Sequence, residues 1–423
     1  MKKINTSPIS GTQELLPEVQ AVFDRLKQRV SENYRAHGYL NIETPILERT
    51  EALLAKAGGE TEKQIYKVAK TNEKMEDSTE ALRFDHTVPL ARYVIEHESD
   101  LTFPFKVAQV GENFRGERAQ GGRYREFYQC DVDIIGRNEL PLEYDADVIA
   151  TLIDTYKSFR IKTPVVARIS NRKILTGLLE GMNLQEKADD IYSIIDHAEK
   201  VPMEKTNLAL DEIGLSEGDK QKILDFIRLN GNSLKVVDGL KALGVENSTL
   251  NEGVKELTEV AELLSAVGYS DDFVLDMKIV RGLDYYTGTV FEFFIPEYTE
   301  VGSMGGGGRY ENLTGYFSEQ KFPGVGGSIG LSRLFYNLRE KNLIDFDTQK
   351  PVELAVIPIT KAEETYALEV ASELRGQGKS VTVVFGDKKL GDKMKYASKI
   401  AGGAVVIGDA EVASKKYRIK EFI

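Results

Sequence analysis

The 423-residue sequence predicts an α+β fold in two parts. The first is an antiparallel-sheet domain broken by a helical insertion, and the second is a small α/β domain. Three observations carry this. Between Leu101 and Ile135 two strand-like runs flank a short Gly/Arg-rich loop, and strands return after Asp271, which suits hairpin connections. Between Lys173 and Asp271 the apolar spacing turns mostly helical. From Pro351 onward strand and helix alternate with short loops. The implied boundaries are 1–345 for the first domain, with its insertion at about 173–271, and 351–423 for the second. "IDFDTQKP" reads as the linker between them.

Taken in order, Pro17 to Tyr34 predicts a helix, with Val19, Val22, Phe23, Leu26, Val30 and Tyr34 on one face. Pro17 suits its first turn and Gly38 its stop. "YLNIETPILE" reads as a short strand ended by Pro45. "FKVAQVGENF" and "REFYQCDVDIIG" are strands on either side of "RGERAQGGRY". "QEKADDIYSIIDHAEK" and "GDKQKILDFIRLNG" are helical pieces of the insertion. "FVLDMKIV" and "TGTVFEFF" are strands, "GSMGGGGRYENL" a glycine-rich hairpin region, and "GVGGSIGLSRLFYNLRE" a glycine-rich entry to an amphipathic helix. In the tail, "VELAVIPI", "SVTVVFG" and "AVVIG" are strands, while "KAEETYALEVASELRGQG" and "KLGDKMKYASKIAGG" are helices.

Composition excludes several classes. No apolar run is long enough to span a membrane, and the N-terminus lacks the apolar stretch of a secretory signal, so a cytoplasmic protein is expected. The single cysteine, Cys130, excludes an internal disulfide and a thiolate zinc cluster. The histidines are scattered, and no metal-ligand cluster is visible. A net charge of −12 argues against nonspecific binding of nucleic acid through a generally basic surface. The charge is uneven, however. Residues 351–423 hold 12 Lys and Arg against 10 Asp and Glu. The positive balance sits on the tail alone.

The loop "FRGERAQGGRYREF" places Arg115, Arg118, Arg123 and Arg125 close together, with Phe127 on the returning strand. A solvated hairpin tip with Glu117 and Glu126 as partners is the plain reading. A nucleotide site is the sharper one, because guanidinium forks grip phosphates and a ring stacks on a base. No Gly-x-x-x-x-Gly-Lys-Ser/Thr occurs, and "GVGGSIG" lacks the dinucleotide spacing. Any ATP must therefore be held by arginine clamps, with Arg333 of "GLSRLF" as the second clamp. The Gly121–Gly122 pair is expected to make the loop flexible. "RGLDYYTGTVFEFF" poses a related puzzle, since a core strand has no need of Arg281, Asp284 and two adjacent tyrosines.

These segments resemble a known family. The "FRGER…GRYREFYQ" loop and the "GSIGLSR" helix start look like motifs 2 and 3 of class II aminoacyl-tRNA synthetases. The first helix with "GYLNIETPILE" resembles motif 1, which builds the dimer interface in that class. "SGTQELLPE", "LRFDHTVPLARY", "RGLDYYTGTVFEF" and "GGGGRYENL" resemble segments of the histidine-specific family, and the tail resembles its anticodon-binding domain. The resemblance implies ATP-dependent activation of L-histidine to histidyl-adenylate, then transfer to the 3′ end of tRNA(His), by a homodimer.

It also implies roles for individual residues. Arg281 and Arg115 would grip the attacking carboxylate and the α-phosphate, and Arg333 the γ-phosphate. Glu117, Arg123 and Phe127 complete the ATP site, with magnesium held mainly by the phosphates. Asp133, Tyr285 and Tyr286 would read the imidazole, although Asp133 stands where the family commonly has Glu. Asp85 and Thr87 with Gln129 would receive the ammonium. His86 belongs to the same histidine-binding segment, and strand alternation turns it to the other face. Gln120 and Arg123 would meet the tRNA acceptor end, and Lys388, Lys389, Lys393 and Lys395 its anticodon stem.

One rival reading is a catalytically inactive paralogue acting as the regulatory subunit of ATP phosphoribosyltransferase. It would lack the tail and has no need of three arginines. A synthetase for another amino acid would not place "RGLDYY" before the glycine-rich hairpin, and a plain RNA-binding module would not need a second clamp.

Overall fold

The computed structural model describes residues 4–54, 62–198, 201–280, 286–311, 314–315, 317–345 and 350–422. The chain divides into two compact units, one of residues 1–13 and 27–344, the other of 14–26 and 345–423.

A nine-stranded sheet organises the first unit. In chain order its strands are Leu40–Asn41 (β1), Phe105–Phe114 (β2), Glu126–Ile135 (β3), Val166–Asn171 (β4), Asn230–Gly231 (β5), Phe273–Asp276 (β6), Tyr286–Phe294 (β7), Gly305–Tyr310 (β8) and Gly324–Ile329 (β9). Across the sheet the order is β1-β2-β3-β9-β8-β7-β4-β6-β5. The central run from β2 to β4 is antiparallel throughout. Only the β1–β2 and β4–β6 pairs are parallel.

Helices cover the sheet. Pro17–Ala36 (α1) ties its C-terminal half to the sheet through Tyr34 Oη, which donates to the Cys130 carbonyl at 2.9 Å, and to the helix Glu143–Ser158 through Asn33 Nδ2, which donates to Thr155 Oγ1 at 2.6 Å. Thr87–Glu96 (α2) starts beside the cleft described below, and Glu143–Ser158 (α3) buries Val148, Ile149, Leu152 and Ile153. The Tyr156 ring of α3 stacks at 4.8 Å from Phe293 of β7. Leu331–Glu340 (α4) buries Leu331, Leu334, Phe335 and Leu338, a spacing of one helical face.

Pro45 does more than end one strand. It separates β1 from Leu47–Arg49, which joins Glu80–Leu82 and Lys67–Val68 in a separate three-stranded sheet. A proline has no N–H to offer a ladder, so the chain leaves one sheet there and enters another. "FDHT" departs from its strand reading as well. Asp85 Oδ1 accepts the Val88 N–H at 3.1 Å, which caps the start of α2 and makes the segment a helix entry.

The insertion leaves the sheet after β4 and returns at β6. Its helices are Arg172–Gly181, Ala188–His197, Met203–Glu212, Glu217–Ile227, Ser233–Ala242 and Ser248–Ala266, and β5 lies among them. Asn171 and Asn247 cap the first and last, accepting from Lys173 N at 3.0 Å and Leu250 N at 3.1 Å. These two helices cross in backbone contact. A Cβ on Gly177 would lie 2.1 Å from Leu250 N.

In the second unit the sheet comprises Val352–Pro358 (β10), Val381–Val383 (β11), Ala401–Ile407 (β12) and Ile419–Glu421 (β13), ordered β11-β10-β12-β13. The first three are parallel, and β13 runs antiparallel at the edge. Leu354 and Val356 pack with the helix Glu364–Gly376, while Ala355 and Ile357 pack with Leu390–Ile400 (α5). The period-two alternation of β10 thus puts one helix on each face. Among the described residues no helix is long and apolar enough to cross a membrane.

Candidate active site

A cleft of about 530 Å³ opens over the middle of the nine-stranded sheet. Its floor is bare backbone. Gly305, Gly306 and Gly307 of β8 and Gly326 and Gly327 of β9 line it, and neighbouring atoms occupy the positions where side chains would stand. A Cβ on Gly307 would sit 2.0 Å from the Gly326 carbonyl, and one on Gly326 would sit 2.0 Å from Asp133 Oδ1.

At one end β3 presents Gln129, Asp131 and Asp133, alternate residues on one face of the strand. Tyr310, at the end of β8, donates its hydroxyl to Asp133 Oδ1 at 3.1 Å. Burial, reinforced by the Asp133 charge, pushes that phenol well above its ordinary range, so it stays a donor. Tyr286 lines the same end, packed against Ala91 and Tyr310. Asp85 and Thr87 reach the cleft from the start of α2.

At the other end stand the arginines. Arg115 closes the β2 side of the loop, its Nε donating to the Phe84 carbonyl at 3.1 Å and its guanidinium lying 5.0 Å from the Phe127 ring centre. Arg123 faces Glu117 at 3.8 Å. Gly121 and Gly122 both take positive φ and form a two-residue turn closed by hydrogen bonds between Gln120 and Arg123. The pair therefore supplies a defined hairpin tip. Arg125 is spent on structure, donating to the carbonyls of Glu117 and Ser10.

Arg333 enters from the first turn of α4. Its terminal nitrogen donates to the Val301 carbonyl at 2.6 Å, while its Nε is buried without a hydrogen-bond partner. Burial holds its pKa below the ordinary arginine value and repulsion from Arg123 adds to this, with Glu292 and Glu117 opposing. Such a cation gains when an anion arrives.

Of the residues singled out from sequence, the cleft gathers Asp85, Thr87, Arg115, Glu117, Arg123, Phe127, Gln129, Asp133, Tyr286 and Arg333. Arg281 and Tyr285 lie outside the described residues. His86 is not on the cleft surface. It is buried, with Nδ1 3.0 Å from Asp131. Gln120 is exposed at the hairpin tip. Lys393 corrects an expectation. It is only 2% exposed, and its ammonium donates to the Pro358 carbonyl at 2.8 Å, so it braces the end of β10 and is unavailable to a polyanion. Lys388, Lys395 and Lys399 do share an exposed patch with Asp392 and Tyr396, and Lys389 is exposed beside it.

Asp131, Tyr310, Ser328 and Glu292 also line the cleft, although nothing in the sequence motifs singles them out. Asp131 carried a signal, being two residues from Gln129 and two from Asp133 on the same strand. Among the described residues no group of three His, Cys, Asp or Glu side chains is placed to hold a metal ion.

An antiparallel sheet with clustered arginines over a bare floor, a helical insertion and an α/β tail is the architecture of class II aminoacyl-tRNA synthetases. A family model for histidyl-tRNA synthetase matches residues 11–334, and one for an anticodon-binding domain matches residues 353–422. The histidine–tRNA ligase of Clostridium tetani is 41% identical over 99% of this chain and 95% of its own length. The crystal structure of histidyl-tRNA synthetase from Nostoc sp. PCC 7120 superposes with a TM-score of 0.89 at 36% identity, covering 99% of this chain and 95% of the other. The chain belongs to the histidyl-tRNA synthetase family. A Bacillus halodurans structure described as an ATP phosphoribosyltransferase regulatory subunit/histidyl-tRNA synthetase shares the fold, with a TM-score of 0.79 at 22% identity, over 96% of this chain and 100% of that one.

Proposed function

We propose that the chain activates L-histidine with ATP and passes the histidyl group to the 3′ end of tRNA(His). One observation carries this reading. Arginines from two separate segments, Arg115 and Arg123 of the hairpin and Arg333 of α4, share a cleft with a carboxylate–phenol pair, Asp133 and Tyr310. The first group suits a polyphosphate and the second a small polar side chain with one N–H to give.

Histidine binds with its imidazole N–H toward Asp133, beside Tyr286, and its ammonium toward Asp85, Thr87 and Gln129. ATP enters as its magnesium complex. Phe127 and Glu117 meet the adenine, Arg115 the α-phosphate and Arg333 the γ-phosphate. The histidine carboxylate attacks the α-phosphorus and pyrophosphate leaves. No general base is required, because the nucleophile is already an anion. The barrier lies in bringing two anions together and stabilising charge on the five-coordinate phosphorus, which fixed cations do best. Arg281 and Tyr285 keep their roles at the carboxylate and the imidazole on motif grounds alone. In the second step a tRNA 3′-terminal hydroxyl attacks the histidyl carbonyl and AMP departs. Gln120 and Arg123 lie against the acceptor end, and Lys388, Lys389 and Lys395 against the anticodon stem.

We also infer a cytoplasmic homodimer. The motif 1 segment lies at the outer edge of the sheet, where Leu40 is 62% exposed, and Leu47 just after it is 48% exposed. The deciding experiment is pyrophosphate exchange into ATP, run with each amino acid in turn. Exchange with histidine alone is expected. No exchange with any would favour the regulatory-subunit reading, and exchange with another amino acid would overturn the pocket assignment.

A further inference from the structure

His86 has no part in the chemistry above, yet it is 1% exposed and its ring ends in a hydrogen-bonded chain that reaches the cleft. Nδ1 lies 3.0 Å from Asp131 Oδ2. Asp131 Oδ1 is in short contact with the Ser328 hydroxyl. Ser328 Oγ receives Gln129 Nε2 at 2.9 Å, and Gln129 Oε1 accepts from Asn113 Nδ2 at 3.0 Å.

The direction of every hydrogen in this chain follows from what each group can do. A carboxylate only accepts, so both the Ser328 hydroxyl and His86 Nδ1 must donate to Asp131. The hydroxyl has one hydrogen. With that spent, it meets Gln129 through a lone pair, and Gln129 must turn its NH2 toward it. The carboxamide is thereby oriented with nitrogen to Ser328 and oxygen to Asn113, leaving a second oxygen lone pair for a ligand.

We propose that His86 is a positioning residue: it holds Asp131, and through Ser328 the carboxamide of Gln129, so that bound histidine's ammonium meets an oxygen and not an NH2 group. The proposal rests on the histidine-activating reading. Without the His86 donor, Asp131 keeps one of its two partners and can rotate, the Ser328 hydroxyl is released, and the Gln129 amide can flip. A flipped amide would aim two hydrogens at a cation.

The test uses His86→Leu, which keeps bulk and removes the donor, and Ser328→Ala, which deletes one atom in the middle of the chain. Two ligands are compared, histidine and 3-(imidazol-4-yl)propionate, which keeps ring and carboxylate but lacks the amine. Binding is read from the concentration dependence of ligand-induced thermal stabilisation, and histidine and ATP KM values from pyrophosphate exchange. Both variants should weaken histidine about tenfold, the size of one hydrogen bond to a charged group. Affinity for the propionate and KM for ATP should change by less than about twofold. Equal weakening of both ligands, or of histidine and ATP, would mean His86 is merely structural and would overturn the proposal, as would unchanged histidine affinity. If His86→Leu does not fold, Ser328→Ala decides alone. Wild-type protein that fails to exchange with histidine would remove the underlying reading instead.

Discussion

Gly326→Ala tests the imidazole pocket more sharply than removal of any pocket side chain, because it deletes no polar group. The new Cβ would lie 2.0 Å from Asp133 Oδ1, and side-chain carbons essentially never approach closer than 3.0 Å. The carboxylate must therefore retreat by about 1 Å. Tyr310 Oη now donates to that oxygen at 3.1 Å. The ring cannot follow, since it is 1% exposed and lies against Gly324, where a Cβ would meet it at 2.5 Å. The donor–acceptor distance would then stretch toward 4 Å, beyond hydrogen bonding. Losing one hydrogen bond to a charged group costs about 1.5–3 kcal/mol, or roughly 10- to 150-fold. We expect kcat/KM for histidine in pyrophosphate exchange to fall by that factor while KM for ATP holds. Gly391→Ala, where a Cβ meets nothing within 4 Å, is the matched control. A folded Gly326→Ala protein with histidine kcat/KM within about twofold of wild type would show that Asp133 does not read the substrate.

Arg333→Lys should lower exchange by about 100-fold or more, because an ammonium cannot hold the Val301 carbonyl and present a second donor in a fixed fork; a smaller loss would place the γ-phosphate elsewhere. Lys393→Met should destabilise the tail by about 1–3 kcal/mol in urea unfolding and leave exchange intact, since it strips the Pro358 carbonyl of its donor. Lys395→Ala should do the reverse, sparing stability while weakening tRNA binding and its salt dependence; a swap of these two outcomes would refute the burial argument. Arg309→Met leaves Asp145, which is 0% exposed, without the cation that grips it at 2.8 Å, and should cost about 3–5 kcal/mol in denaturant melts. Recovery on adding Asp145→Leu is expected, and a single-variant loss under about 1 kcal/mol would contradict it.

Periodicity made much of this fold readable, and the misreadings had local causes. The tail alternation is a two-period signal strong enough to place a helix on each face of β10. Arg115 and Phe127 were visible because strand ends beside a glycine turn are where ligand contacts concentrate. The charge of Lys393 suggests an exposed contact, but its spacing places it inside. It shares a helical face with Leu390, Met394 and Ala397, the residues that pack under the sheet. "FDHT" follows a strand-like run, but Val88, Ala91 and Val94 come next at helical spacing and the Asp85 carboxylate accepts the Val88 N–H at the helix start. Tyr310 meets Asp133 across 177 residues of sequence. No local pattern encodes such a meeting. It arises only because β9 lies between β3 and β8 and contributes glycines there.

That glycine ribbon limits how such an enzyme can be remodelled. Pockets walled by leucine or phenylalanine can be enlarged by trimming, but glycine has nothing left to trim. Every substitution along this floor adds bulk, so the chamber cannot be deepened there. Room for a larger amino acid would have to come from the walls, where Tyr286, Gln129 and Tyr310 stand.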